Sequence, residues 1–309
     1  MRKGGVYVVC ITIYKYLSLC YYIVTRKMKA QLIFVSCFIN IYEKPLSQKS
    51  DEWRIDHFKT LLATGITMVL FISPQYTPIF QTLAIQYNNL SYYEIDIYTE
   101  LPLFANIIAA TLPYYRNPEK DTFNYMALMN SKTDFIVLAM QKGCVGTHYA
   151  WIDFNISYIF KNPEITLSFI SILGKLCCNH RFLCIPGCTE IPPTPLITDH
   201  VNWHFCGGFF MGDQQSVIEF HDAITDNLHE QTIAKSLMVW ETNFWAYLHS
   251  NGLWCPTHWF KVDDHDDTML THIPPEIYIP PLKWETIVTF PPTLLPPLLP
   301  PLLPPEFHI

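Results

Sequence analysis

The strongest constraint on the fold is a set of short apolar runs that lack polar alternation. Leu32-Ile-Phe-Val-Ser-Cys-Phe-Ile-Asn-Ile41, the run MVLFI inside 67–72, and Tyr149 to Phe154 are hydrophobic at odd and even positions alike. A strand with one wet face alternates polar and apolar residues, whereas a strand covered on both faces reads as a continuous apolar run. Such strands need a layer on either side, and the segments between them have helical character. Ser50 and Asp51 are N-cap candidates for a helix from Glu52 to Ala63, and Gly65 follows it as a C′ glycine. Helices are expected over Phe80–Gln86, Thr122–Asn130, Thr133–Lys142, Gln214–Leu228 and Thr232–His249, and further strands over Tyr92–Ile97, Arg181–Ile185, Trp203–Gly212 and Trp254–Val262. This alternation predicts an α/β fold, Rossmann-like, with a mainly parallel central sheet flanked by helices. No break in composition divides residues 30–280, so a single domain is expected there.

The two ends differ from this middle. Of 24 prolines in 309 residues, twelve lie between Pro274 and Pro305, and Leu294 to Pro305 repeats a Leu-Leu-Pro-Pro unit three times. Paired prolines remove backbone donors and fix φ, which excludes helix and ladder and favours polyproline II. Residues 281–309 therefore form a low-complexity tail. At the other end, residues 6–25 are nearly continuous apolar sequence, long enough to span a bilayer, with basic residues on both flanks and Lys15 in the middle. Residues 1–29 are either a signal anchor giving membrane attachment or an apolar extension outside the fold. The corresponding locations are the cytoplasm or the cytoplasmic membrane surface, with a signal-anchored alternative.

A formal net charge of −7 argues against a nucleic-acid partner, which requires a basic footprint. With only 15% charged residues, individual acids stand out. The ten cysteines are scattered through apolar runs and read as reduced core residues. The cluster Cys177-Cys178-x-His180-x3-Cys184-x3-Cys188 has no C-x2-C pair, so a buried thiol group is expected over zinc.

Four constellations carry candidate chemistry. In Trp151-Ile-Asp-Phe-Asn155 an apolar strand delivers Asp153 at its carboxyl end, where open α/β sheets bind ligands. Such an acid also serves as a turn or cap residue. His204-Phe-Cys-Gly-Gly-Phe-Phe-Met-Gly-Asp213 places Gly207 and Gly208 in an aromatic run, for a bulge or for close approach of a ligand. Trp240-Glu-Thr-Asn-Phe-Trp245 sets Glu241 and Asn243 on an otherwise apolar helix. Asp263-Asp-His-Asp-Asp267 is either a hard-cation site with His265 as a nitrogen ligand or a solvated charged loop.

In this order, the run Asn130-Ser-Lys-Thr-Asp-Phe135, WIDF at 151–154, IPGC at 185–188, FCGGFFMGD at 205–213, WETNFWA at 240–246 and DDHDD at 263–267 resembles the HtrL/YibB family over roughly residues 30–270. The resemblance implies a GT-A-type glycosyltransferase domain and a role in glycan or polysaccharide biosynthesis. It implies a nucleotide-sugar donor (a UDP- or GDP-sugar), a glycan acceptor and Mn²⁺ or Mg²⁺. Asp153 and His265 would then hold the metal, with Asp153 and Glu241 as catalytic residues. Lys132, Asn155, Gly207, Gly208, Asp213 and Asn243 would contact donor or acceptor, Lys132 meeting the diphosphate. Trp151 stands where the family type has the first acid of a D-x-D pair. A catalytically silent relative that binds glycan or protein is the alternative, and a metal-dependent hydrolase using the DDHDD loop is a third reading.

Overall fold

The computed structural model describes residues 31–42, 49–106, 110–175, 180–190, 198–232 and 236–278. The apolar run at 6–25, the proline-rich tail at 281–309 and Cys177 and Cys178 lie outside the described residues. Among the described residues no helix is long and apolar enough to cross a membrane.

A single α/β domain is built around a seven-stranded sheet. Its strands are β1 Leu32–Phe38, β2 Thr67–Ile72, β3 Leu90–Glu94, β4 His148–Ile152, β5 Leu183–Gly187, β6 Phe209–Asp213 and β7 His258–Lys261, in the order β3-β2-β1-β4-β6-β5-β7. Only β6 runs against the others: it pairs antiparallel with β4 and β5, while the remaining neighbours are parallel. The helices are α1 Asp51–Leu62, α2 Thr77–Gln86, α3 Ile97–Glu100, α4 Pro102–Asn106, α5 Phe123–Asn130, α6 Lys132–Gln141, α7 Pro163–Leu173, α8 Gln214–Thr232, α9 Glu241–Ser250, α10 Thr268–Thr271 and α11 Pro275–Tyr278.

The unbroken run of β1 has its reason in two cores. Leu32, Phe34 and Phe38 point into one, where α1, α2 and α7 contribute Phe58, Leu61, Phe80, Ile170 and Leu173. Ile33, Val35 and Cys37 point into the other, where α5, α6, α8 and α9 contribute Met126, Phe135, Phe220 and Phe244. All seven β1 residues are buried.

Helix α1 starts as expected. The Ser50 hydroxyl accepts from Trp53 N at 3.2 Å, and Gly65 takes φ +79° just past the helix end. Several other elements differ from the sequence expectation. Of the helix expected over Thr232–His249, residues 241–249 are helical in α9 and 236–240 are not. Ser236 O accepts from Thr111 N at 2.7 Å and Met238 N donates to Thr111 O at 3.0 Å, a long-range bridge that overrides local helix propensity. Of the expected strand Trp203–Gly212, only the part from Phe209 is in the sheet; 203–208 is a turn. The strand expected over Tyr92–Ile97 stops at Glu94, because the Asp96 side chain caps α3 by accepting from Tyr98 N at 3.1 Å. Helix α7 was not anticipated, although Asn162-Pro163-Glu164 has the composition of a helix start.

Candidate functional site

The sheet topology places the site. From β1 the chain steps to β2 and β3 on one side, while β4 lies on the other. The carboxyl ends of β1 and β4 therefore border the crevice where connections diverge, the preferred ligand position of an open α/β sheet. Asp153 is the first residue after β4. Its side chain keeps 32% of its surface exposed, in a chain segment where Trp151, Ile152 and Phe154 are buried.

Two helix starts converge on this carboxylate. Lys132 is the first residue of α6 and only 1% exposed. Its ammonium donates to Gly207 O at 2.7 Å and Glu241 Oε1 at 2.9 Å, and pairs with Asp153 Oδ1 at 3.2 Å. A cation at a helix N-terminus opposes the dipole, so these three oxygens hold it there. Burial disfavours the ammonium, but Asp153 and Glu241 outweigh it and hold Lys132 above its ordinary pKa. Glu241, the first residue of α9 and 6% exposed, is on the favourable side of its own helix dipole. The indole of Trp151 completes the arrangement by donating to Asp153 Oδ1 at 2.8 Å.

Protein atoms pack closely against both glycines. A Cβ at Gly207 would overlap Glu241 Oε1 and lie 3.1 Å from Lys132 Nζ. A Cβ at Gly208 would lie 3.2 Å from His265 Nε2 and from Met269 Cε. Asp153 N donates to Gly208 O at 3.0 Å, so Asp153 and His265 flank Gly208 from two sides. Burial holds His265 below the ordinary imidazole range, and the nearby Asp153 only partly opposes this. Its ring lies against Trp203, centroids 5.3 Å apart, and Trp203 is 41% exposed.

A partly exposed carboxylate and an imidazole on either side of Gly208 are the O and N ligand types a divalent cation takes. Among the described residues no group of three His, Cys, Asp or Glu side chains converges to hold a metal. Asp153 and His265 would offer one oxygen and one nitrogen ligand, fewer than the four of a closed structural cage.

The other sequence candidates are placed as follows. Lys132, expected at the diphosphate, is buried with its ammonium on three protein oxygens. Asn155 follows Asp153 into a short 3₁₀ turn, half-buried, with no side-chain hydrogen bond to the described residues. Asp213 is not brought to the site. In the antiparallel register Phe209 faces Ile152 and Asp213 faces His148, which puts Asp213 about 13 Å away along the strand. There it accepts from Gln215 N at 3.1 Å, Ser216 N at 3.2 Å and Phe182 N at 2.7 Å, fixing the start of α8. Burial opposes its charge, but these bonds and the Ser216 hydroxyl outweigh it and hold the carboxyl below the usual range. Asn243 is 2% exposed. Its Oδ1 accepts from Asn202 N and its Nδ2 donates to His200 O, both at 2.7 Å, so it pins the segment leading to Trp203. The DDHDD loop is not a four-acid cation site. Asp266 pairs with Lys161 and accepts from Thr268, while Asp267 Oδ2 accepts from Asn162 N at 2.9 Å and Thr166 Oγ1 at 3.2 Å at the start of α7.

Sequence reasoning missed Trp151 and Trp203 as site residues. The period of two in a strand places Trp151 on the same side as Asp153 and was the available signal for the first. Nothing local marks the second.

No family model matches the chain, and no curated protein matches it. Among solved structures it is similar to Rv0371c from Mycobacterium tuberculosis H37Rv, at 10% identity and a TM-score of 0.38, over 77% of this chain and 90% of that one. It is also similar to apo mouse xyloside xylosyltransferase 1, at 8% identity and a TM-score of 0.38, over 75% and 84% of the two chains. The nucleoside-diphosphate-sugar pyrophosphorylase from Vibrio cholerae RC9 has 11% identity and a TM-score of 0.37, over 76% and 93%.

Proposed function

We propose that this chain is a metal-dependent glycosyltransferase of the HtrL/YibB type. It would move a sugar from a UDP- or GDP-sugar to a hydroxyl of a glycan or similar acceptor. One observation carries the reading: a partly exposed carboxylate, Asp153, stands at the switch point of the sheet, tied through buried Lys132 to a second carboxylate, Glu241. Mn²⁺ or Mg²⁺, bound by Asp153 and His265, would supply positive charge against the departing diphosphate.

The chain's own residues do the rest. Lys132 bridges the Asp153 and Glu241 carboxylates, which it holds on one ammonium. The Trp151 indole fixes one oxygen of Asp153 and leaves the other directed away from that bond. Gly207 and Gly208, without side-chain bulk, let Glu241 and His265 close onto this turn. If the anomeric configuration inverts, Glu241 takes the acceptor hydroxyl proton. If it is retained, the leaving phosphate takes that proton and Glu241 orients the acceptor. Asn155 is assigned to donor contact, and Asn243 acts by holding residues 200–202.

Trp151 at the position of a first D-x-D acid favours the second reading, a silent relative that binds glycan or protein. Both are tested by thermal shift with UDP- and GDP-sugars, with and without Mn²⁺, followed by a turnover assay. A transferase gives a donor-specific, Mn²⁺-dependent rise in Tm that Asp153→Ala abolishes, and then product. A Tm rise without turnover selects the silent relative. No rise with any donor, or an equal rise in Asp153→Ala, refutes the site.

A further inference from the structure

We propose that Cys188 and Cys206 form an oxidisable dithiol, a modification site that takes a peroxide and closes to a disulfide that disturbs the Lys132 clamp. The two Sγ atoms lie 3.5 Å apart and share a hydrogen. They are eighteen residues apart in sequence, so no spacing motif announces them. Cys188 follows β5 and Cys206 sits in the turn before β6. The backbones are tied together: Cys206 N donates to Pro186 O and Cys188 N to Trp203 O, each at 2.8 Å.

The two thiols are unequal in the way such chemistry needs. Cys188 is partly exposed, whereas Cys206 lies fully buried behind it. The hydrogen bond from Cys206 holds Cys188 below the ordinary thiol range, and the same bond, with burial, pushes Cys206 up. Cys188 is thus the attacking sulfur and Cys206 the resolving one. The Cys188 thiolate attacks one peroxide oxygen, the O–O bond breaks, and with one proton taken up the products are a sulfenic acid and water. The Cys206 sulfur then attacks the sulfenic sulfur, the S–O bond breaks, and the oxygen leaves as water with the Cys206 proton and one from solvent or the sulfenic hydroxyl. Two thiols and one hydrogen peroxide become one disulfide and two waters.

A disulfide bond is about 2.05 Å long, so the sulfurs must close by roughly 1.5 Å. The neighbouring chain leaves little freedom. The His204 carbonyl accepts from Trp259 Nε1 at 2.8 Å, its ring bonds to Thr189 O and His249 Nδ1, and a Cβ at Gly187 would already overlap that carbonyl. The displacement falls on Cys206 and the adjacent Gly207, whose carbonyl accepts from Lys132 at 2.7 Å. Oxidation therefore loosens the bond that anchors Lys132 between Asp153 and Glu241.

The test uses the full chain, treated with hydrogen peroxide and then alkylated. Peptide mapping is expected to find Cys188 joined to Cys206 in a species about 2 Da lighter, reversed by dithiothreitol and missing from Cys188→Ser. Hydrogen exchange at the Asp153 amide, which donates to Gly208 O at 3.0 Å, is expected to be about tenfold faster in the oxidised protein. Alkylation of both thiols after peroxide treatment, or a cross-link elsewhere that leaves them free, overturns the site. A Cys188–Cys206 disulfide with unchanged exchange at the Asp153 amide overturns its coupling to the clamp. No substrate enters these readouts, so they stand or fall apart from the glycosyltransferase reading.

Discussion

Replacing Lys132 by methionine isolates what the buried ammonium does. Methionine keeps most of the length and apolar bulk beside the Trp151 ring, which lies 5.6 Å from Nζ, and removes only the charge and its donors. Three acceptors then lose their partner: Gly207 O at 2.7 Å, Glu241 Oε1 at 2.9 Å and Asp153 Oδ1 at 3.2 Å. Breaking a buried ion pair from one side costs about 3–5 kcal/mol, because the remaining charge is left uncompensated. With Asp153 one-third exposed and able to draw on water, the lower half of that range is expected. Against a typical total of about 5–15 kcal/mol, this is a large loss. Urea unfolding measures it as a fall in midpoint at constant slope. The decisive comparison adds Glu241→Gln. In Lys132→Met/Glu241→Gln the buried charge is gone, so the double variant should be more stable than the sum of the singles by about 1–3 kcal/mol. A cost below about 1 kcal/mol for Lys132→Met, or singles that add within about 0.5 kcal/mol, would refute the clamp.

Three further outcomes are expected. Gly207→Ala should lose about 1–3 kcal/mol by overpacking against Glu241 and Lys132, and with it the donor-dependent thermal shift; an unchanged Tm and shift would show that the turn yields freely. Within the DDHDD loop, Asp267→Ala should lower stability by about 0.5–2 kcal/mol through α7 and leave the Mn²⁺-dependent shift intact, whereas His265→Ala should do the reverse; calorimetry and thermal shift on both separate the roles. Asp134 is pushed up to about 7 by burial, so its contribution to stability is present below about pH 4 and lost as pH rises through 7. Asp134→Asn should therefore be the more stable protein at pH 8, by ~1–4 kcal/mol, and match wild type near pH 4. Parallel stability curves for the two from pH 4 to 8 would contradict this.

Local pattern made much of the scaffold legible. The apolar runs at β1, β2 and β4 announced strands buried on both faces, and Ser50 and Gly65 marked both ends of α1. Asp153 was visible because a strand that ends on an acid has a carboxylate where the sheet opens. Failures came where a distant partner decided. Residues 236–240 read as helix by period but are not helical, because Thr111 supplies a backbone partner that no local window contains. Asp213 belongs to the same motif as Gly207 and Gly208 but not to their place. A run of five strand residues, however, carries its last member about 13 Å from its first, and the antiparallel direction of β6 sends it away from the crevice.

By itself the sequence determined which segments are strands, that the sheet is covered on both faces, and that an acid caps its fourth strand. Those follow from burial and backbone preference, which each stretch of chain carries within itself. The tertiary structure alone decided the strand order, the reversed β6, and the meeting of Lys132 with Glu241 across 109 residues. It also assigned two of the DDHDD acids to structural bonds and set Cys188 beside Cys206. A composition of apolar and charged residues states what each group must avoid or neutralise. Which group neutralises it depends on how helices on two faces of a sheet close into one solid, and that closure is a property of the whole chain.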